Sequence, residues 1–485
     1  MVSGASVALG IVAIVVAATI AFALRSTGRL KMSPQEYIVG GRSFGALFLW
    51  LLLAGEVYTS FTFLGAAGWA YGRGAPAYYI MSYGACAFVL GYFLLPKIWQ
   101  VAKERGLLTG PDFFADRYRS RALGILVAFV QLVFIIPYIT LQISGLQILL
   151  TIAGYGSFSA TAGAGVAFVV IALFVFTAGL RGAAWASVVK DALVLGAIVF
   201  VGIAVPTHFF GSVPNMLAHL RAAHASMLTL GAATSKNGGV WYVSTVLLSA
   251  LGFYMFPGSF TSIYSAKSGD VLRRNAVFLP VYHVIMILAL LAGFTALLVA
   301  PGLRGAHADE SFMLVVQRYY PPWVLGLVAA AGSLAALVPA SVLLLSTASV
   351  VAKNVLSDGF GLANGDAQRV LATRIFVLVI ALLALFLWLF ERETLVGLLL
   401  LVYDGITQLL PGVLCAFAWR RATAWGVAAG IAAGVATAAA LTAGTSPLGL
   451  NPGFVALGVN ALVLVGVSIA TQSSRDSRPA YLPAD

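Results

Sequence analysis

Leu52-Leu53-Ala54-Gly55-Glu56-Val57-Tyr58-Thr59-Ser60-Phe61-Thr62 lies inside an apolar run over 45–68, and its content is wrong for an ordinary membrane helix. A glycine, a carboxyl and four hydroxyls stand where hydrocarbon would be the solvent, and polar groups at that depth are costly unless they serve something. About 200 residues on, Gly252-Phe253-Tyr254-Met255-Phe256-Pro257-Gly258-Ser259 repeats the anomaly. There the proline removes a backbone donor and clashes with the preceding turn, so the helix must kink or open. Small residues at helix crossings would account for the glycines alone. They do not account for Glu56 and the hydroxyls. Two interrupted spans at matching points of two halves are the sequence mark of a transporter with its binding site at the midplane.

The rest of the chain supplies the setting. Of 485 residues, 61% are hydrophobic and 9% charged, where a soluble chain carries about a quarter charged. Continuous apolar runs of the length that crosses a bilayer recur throughout, and in lipid the backbone must satisfy itself, which selects helices here. Thirteen spans are expected, near 5–24, 45–68, 77–99, 122–150, 159–180, 186–208, 240–264, 276–300, 323–350, 375–390, 395–418, 423–443 and 453–471. The first lacks a basic leader and is followed by Arg25, Arg29 and Lys31, so it reads as a retained anchor with its N-terminus outside. Alternating the loops from that start puts 22 of the 28 Lys and Arg inside, with only Arg73, Arg221, Lys236, Arg304, Arg318 and Arg392 outside. A wrong span count would mix the two sets, so the C-terminus is expected in the cytoplasm of a plasma-membrane protein. The net charge of +12 is thus a topology signal and implies no nucleic-acid partner. Cys86 and Cys415 both fall in apolar runs and read as small buried hydrophobes. No phosphate-binding GxxxxGK[ST] is present, which argues against an ATP-driven pump, and no nucleophile–base pair or metal-ligand cluster points to an enzyme.

The two interrupted spans carry a wider likeness. Tyr37-Ile-Val-Gly-Gly-Arg-Ser-Phe-Gly45, Phe63-Leu-Gly65, Leu108-Thr-Gly-Pro-Asp-Phe-Phe-Ala-Asp-Arg117, Gly179-Leu-Arg-Gly-Ala-Ala-Trp185 and Tyr403-Asp-Gly-Ile-Thr-Gln-Leu-Leu-Pro-Gly412 resemble the sodium:solute symporter family over about 37–425. Phe253–Asn275, Pro137-Tyr-Ile-Thr-Leu-Gln142 and Leu337-Val-Pro-Ala-Ser341 look like its monocarboxylate-permease branch, although that branch's histidine after the proline is Gly258 here. The resemblance implies an all-α, leucine-transporter-type fold of two inverted five-helix repeats, here 45–208 and 240–418. One extra span precedes them (5–24), two follow (423–471), and a cytoplasmic tail closes the chain (473–485). It implies a single transporter domain that moves a small organic anion through the lipid membrane, with sodium or a proton as coupling ion and no cofactor. The oligomeric state stays open.

At the ion site the sequence departs from the family. The resemblance maps backbone carbonyls onto Gly55, Tyr58 and Ala335, and two adjacent hydroxyl residues onto the eighth core helix. Those positions read Val338 and Pro339, or Pro339 and Ala340 one register on. Ser341 is close but does not restore the pair. On the fifth core helix, Trp185-Ala-Ser-Val-Val-Lys190-Asp191 puts Ser187 at a position that is acidic in some members, and Lys190 three residues deeper. A desolvated lysine there could stand in for the missing cation and carry the coupling proton, with Asp191 or Glu56 as counter-ion. The bland alternative is a lysine at the helix end that reaches the interface. Candidate solute contacts are Glu56, Tyr58, Thr59, Ser60, Gln142, Tyr254, Ser259 and Gln408; candidate coupling groups are Lys190, Asp191, Gly55, Ala335 and Ser341. Competing readings are a sodium-coupled carrier of an amino acid or sugar, and a transporter-derived substrate sensor.

Overall fold

The computed structural model describes residues 3–27, 39–363, 365–390 and 393–472, apart from the side chains of Glu56, Thr177, Ala178 and Arg181. Arg29, Lys31, Tyr37, Arg392 and the tail 473–485 therefore lie outside the described residues, as does the side chain of the candidate Glu56.

The elements that position the site are α1 (Gly4–Thr27), α2 (Ala46–Val57), α3 (Ala66–Arg73), α4 (Tyr79–Arg105), α5 (Gly110–Tyr118), α6 (Arg121–Ala153) and α7 (Ala160–Val199). They continue as α8 (Gly239–Gly252), α9 (Pro257–Ser265), α10 (Gly269–Val284), α11 (Ile287–Val299), α12 (Ser311–Tyr319), α13 (Pro322–Val350) and α14 (Asp366–Phe390). The last four are α15 (Leu395–Ile406), α16 (Leu410–Ala418), α17 (Ala424–Ala443) and α18 (Pro452–Ala470). Among the described residues, ten helices are long and apolar enough to cross a membrane, or eleven if the bent pair α8–α9 forms one span. The expected spans 45–68 and 159–180 are seen as shorter apolar helices, Ala46–Gly55 and Ala160–Phe176.

Both breaks fall where the sequence places them. After α2, Tyr58 turns extended (φ −92°, ψ 90°), and helix resumes through a π-helical turn, Phe61–Gly65, into α3. Thr59 restarts the chain by accepting from Phe61 N–H on its hydroxyl and from Thr62 and Phe63 N–H on its carbonyl. The second break lies between α8 and α9, which are bent by 48°. Pro257 opens α9 at the first helical position, where no N–H is needed. The start of the first broken helix and the end of the second are tied by a short parallel bridge: Phe44 N–H donates to Ser265 O at 3.0 Å, and Lys267 N–H donates to Phe44 O at 3.0 Å. A third discontinuity sits inside α7 at Gly179, whose φ of 60° and ψ of −171° a side chain would strain.

Helices α1, α6, α7 and α14 pack around α13, where every residue from Val328 to Val350 is buried. At the other edge, Gly426, Gly430 and Gly434 repeat every fourth residue along α17. A Cβ on the first two would clash with Ser468 and Asn460, so α17 and α18 are seated backbone to backbone.

Candidate functional site

At the first break a lysine lies on the opened backbone. Lys190 is on α7, eight residues or about 12 Å beyond Gly182, where that span begins. It is fully buried, so it does not snorkel to an interface. Its Nζ pairs with Asp191 Oδ1 at 2.7 Å and donates to the carbonyl of Tyr58 at 3.5 Å. A Cβ placed on Gly55 would lie 3.3 Å from this Nζ and 3.4 Å from Ser187 Oγ, so a glycine lets α7 approach the broken helix.

Two tyrosines close the arrangement into a ring. Tyr282 of α10 donates its hydroxyl to Asp191 Oδ1 at 3.0 Å, and Tyr58 donates its hydroxyl to the carbonyl of Tyr282 at 2.8 Å. Lys190 thus bonds to Tyr58, Tyr58 to Tyr282, Tyr282 to Asp191, and Asp191 back to Lys190. Each link crosses between helices except the last. Asp191 Oδ2 is buried and has no partner among the described residues. The ring gives the ammonium one carboxylate and one carbonyl, which lowers the cost of holding a charge in this place.

The same break carries unused donors on its other side. Ser60 N–H donates to Gln142 Oε1 at 3.3 Å, which fixes the glutamine with its amide hydrogens unspent. Among the described residues, Gln142 Nε2 and Ser60 Oγ are both buried without partners. Gly145 permits the approach, since a Cβ there would lie 2.3 Å from Ser60 Oγ. Thr59 is committed to the backbone, and Thr62 donates to the carbonyl of Val57.

The second break is built from rings. Tyr138, Phe253, Phe256, Pro339, Leu343 and Tyr403 line a small cavity beside it. Phe256 lies 5.6 Å from Tyr138 and 5.4 Å from Tyr403 between ring centroids. The broken backbone is held by Gln131 of α6, whose Nε2 donates to the carbonyl of Met255 at 3.1 Å. Sequence reasoning missed this residue. The signal was available, because Gln131 precedes Gln142 by 11 residues, three helical turns, and so lies on the same face of α6.

The other expected residues go elsewhere. Tyr254 packs on α4, with its hydroxyl against Gly91, and Ser259 donates to the carbonyl of Phe253. Gln408 donates to the carbonyls of Asp404 and Gly453 and accepts from Asn460, which ties it to α18. Ser341 donates back to Val338 of its own helix at 2.6 Å, and Ala335 is fully buried. His283 Nε2 lies 3.0 Å from the carbonyl of Ile80, an inter-helix contact. Among the described residues, no group of three or more His, Cys, Asp or Glu is placed to hold a metal ion.

Comparison with known proteins agrees with this architecture. Residues 37–434 match the model of the Sodium:solute symporter family. The chain is 38% identical over 467 residues to the symporter YhjB of Bacillus subtilis (strain 168), covering 94% of this chain and 95% of that one. It is 29% identical over 380 residues to a monocarboxylate transport permease protein of Rhizobium johnstonii, covering 78% and 76%. Its fold is shared with a Na+-coupled sialic acid symporter solved in a substrate-bound outward-open state. The TM-score is 0.79 at 15% identity, over 98% of this chain and 99% of that one.

Proposed function

The chain belongs to the sodium:solute symporter family, and from that premise we propose that it carries a small monocarboxylate by alternating access, with Lys190 in the role of the coupling cation. We read it as thirteen spans in a plasma membrane, N-terminus outside and C-terminus cytoplasmic, with inverted repeats at 45–208 and 240–418.

The observation that carries the coupling proposal is the position of the Lys190 ammonium. It rests on the Tyr58 carbonyl and beside Gly55, the carbonyl-bearing break that the family resemblance assigns to sodium. At the positions that the resemblance maps to the ion, the eighth core helix offers no hydroxyl pair to complete a sodium shell, since Val338, Pro339 and Ala340 bring no side-chain oxygen and Ser341 is turned onto its own helix. A buried amine with one carboxylate partner can be filled and emptied by a single proton. Losing that proton would remove the charge that pairs with Asp191 and weaken the hold on the Tyr58 carbonyl, so proton movement and opening are linked through one hydrogen-bonded ring.

The solute reading rests on polarity. Ser60 starts the outer half of the broken helix, and although its first N–H groups bond within the protein, the positive end of the helix dipole there favours an anion. Ser60 Oγ and Gln142 Nε2 are donors in waiting there. Tyr138 lies one turn, about 6 Å, along α6 from Gln142 and joins the aromatic cavity. A carboxylate with a short apolar body spans that separation. The name of the Rhizobium relative supports the same class.

The test is uptake by purified protein in liposomes, with proton and sodium gradients imposed separately and short monocarboxylates, amino acids and sugars as competitors. A proton gradient alone should drive accumulation of a monocarboxylate. Strict dependence on sodium would refute the coupling role of Lys190, and competition only by amino acids or sugars would refute the solute class.

A further inference from the structure

The end of the molecule that the charge bias places outside is closed by packed rings. Trp69 lies 5.6 Å from Trp241 and 5.7 Å from Tyr79, and Tyr79 lies 5.7 Å from Trp241, between ring centroids. The Trp69 indole donates to Thr394 Oγ1 at 3.1 Å, and that hydroxyl also accepts from Gly397 N–H as the cap of α15. A second element reaches the same helix start. Asp309, in the short turn Gly305–Glu310 ahead of α12, accepts from Leu395 N–H through Oδ2 at 2.7 Å. The first broken helix and the external loop therefore converge on one helix N-terminus.

Asp309 is an odd occupant of that point. It is 1% exposed, and its Oδ1 has no partner among the described residues. That oxygen faces Gly68 of α3, where a Cβ would come within 2.2 Å of it and within 2.7 Å of the Asp309 Cα. No water fits between the two backbones. Among the described residues, the charged groups on the surrounding elements do not neutralise it. Glu310 is engaged by His307 at 2.9 Å; Glu393 precedes α15; Arg73 ends α3, Arg304 precedes the turn and Arg318 ends α12. Among the described residues none of these forms an ion pair with Asp309. An ionised carboxylate can only accept, so a bare buried oxygen keeps the full cost of desolvation, and a proton on it removes that cost.

We propose that Asp309 is a proton-binding site of the outer seal: its carboxyl takes up a proton as the loop closes onto Gly68 and the start of α15, and returns it to water when the seal opens. Burial, reinforced by the neighbouring Glu310, pushes this carboxyl up to about 8 against the pull of the Leu395 N–H. In the opened state a solvated aspartate titrates near about 4. The closed state is then favoured in full below about pH 4, loses about tenfold per pH unit above it, and keeps no advantage from this group above about pH 8. Acid outside tightens the seal. The site is separate from Lys190 and stands whichever ion is coupled there.

The test is hydrogen exchange on the full chain in lipid nanodiscs, from about pH 5 to about pH 9, corrected for the intrinsic pH dependence of exchange. Amides of 305–319 and 395–398 should lose protection in the native chain with a slope approaching tenfold per pH unit, flattening near about pH 8. Asp309→Asn keeps an acceptor for Leu395 but holds no titrating proton, so its protection should be independent of pH. Glu310→Gln should keep the native slope. A native slope in D309N, or a flat native profile, overturns the proposal. If D309N does not fold, the native profile alone decides, since a flat one is incompatible with a titrating seal.

Discussion

The two breaks solve the same problem with different chemistry. Each interrupts a membrane helix and exposes backbone groups that lipid cannot satisfy. At the first, the carbonyl of Tyr58 is met by an ammonium and the N–H of Ser60 by a glutamine oxygen. At the second, the carbonyl of Met255 is met by a neutral amide from Gln131, and the surroundings are the rings of Tyr138, Phe253, Phe256 and Tyr403. One helix, α6, serves both with two glutamines on one face, presenting its oxygen to the first and its nitrogen to the second. The difference teaches a division of labour. On the proposed function, the charge at the first break is the part that is switched, while the second offers shape and apolar surface to a solute.

Removing the charge should break this division most completely. In Lys190→Met, accumulation driven by a proton gradient should vanish, while exchange of labelled for unlabelled solute continues. The variant leaves Asp191 buried alone, a loss of about 3–5 kcal/mol if it stays ionised. The double variant Lys190→Met, Asp191→Asn should recover thermal stability without recovering proton-driven uptake. Recovery of both would show the pair to be purely structural.

The glutamines sharpen the comparison. Gln142→Leu removes a donor to an anionic solute, worth about 1.5–3 kcal/mol, so Kd should rise about ten- to a hundredfold. Gln131→Leu should leave Kd within about threefold and lower stability by about 1 kcal/mol, the value of one ordinary hydrogen bond. Direct binding measurements on both variants decide it, and equal effects on Kd would erase the distinction between the breaks.

Tyr282→Phe keeps the aromatic side chain but takes the hydroxyl from Asp191 and so opens the hydrogen-bonded ring. Loss of about 1 kcal/mol at one corner of the ring should move the pH profile of uptake by a little under one unit with the maximal rate largely kept. An unmoved profile would mean that Tyr282 does not position the pair.

What could be read in the residues, and what could not, follows from how each announces itself. Pro257 and the run from Gly55 to Thr62 are chemically out of place in lipid, so both breaks were legible. Lys190 was legible as a charge within an apolar run, but its depth was not, because a lysine long enough to snorkel looks the same in sequence as one that is sealed in. Gln408 was expected to face the solute. It is instead held by Gly453 and Asn460, because the side of the tenth core helix that faces α17 and α18 is set by glycine packing that the one-dimensional pattern does not encode. Gln131 went unread although it shares a face with Gln142: an 11-residue spacing spans three turns and is easily passed over in a helix that is otherwise apolar on every side.

The smallest expected effect tests the eighth core helix, the place where the family resemblance and the structure diverge. Ser341 is the one hydroxyl near the sodium position on that helix, and it is turned onto the Val338 carbonyl of its own backbone at 2.6 Å. A serine bonded within its helix contributes little, because the same carbonyl is already served by the helical ladder. Ser341→Ala should therefore change stability by no more than about 0.5 kcal/mol. It should leave uptake unaltered in the presence or absence of sodium. If S341A instead abolished a sodium-stimulated component of uptake, the hydroxyl would have to swing out to a cation during the cycle. The first break would then be a site that Lys190 shares with sodium, and the contrast between a switched charge and a neutral solute cradle would have to be redrawn around two cations rather than one.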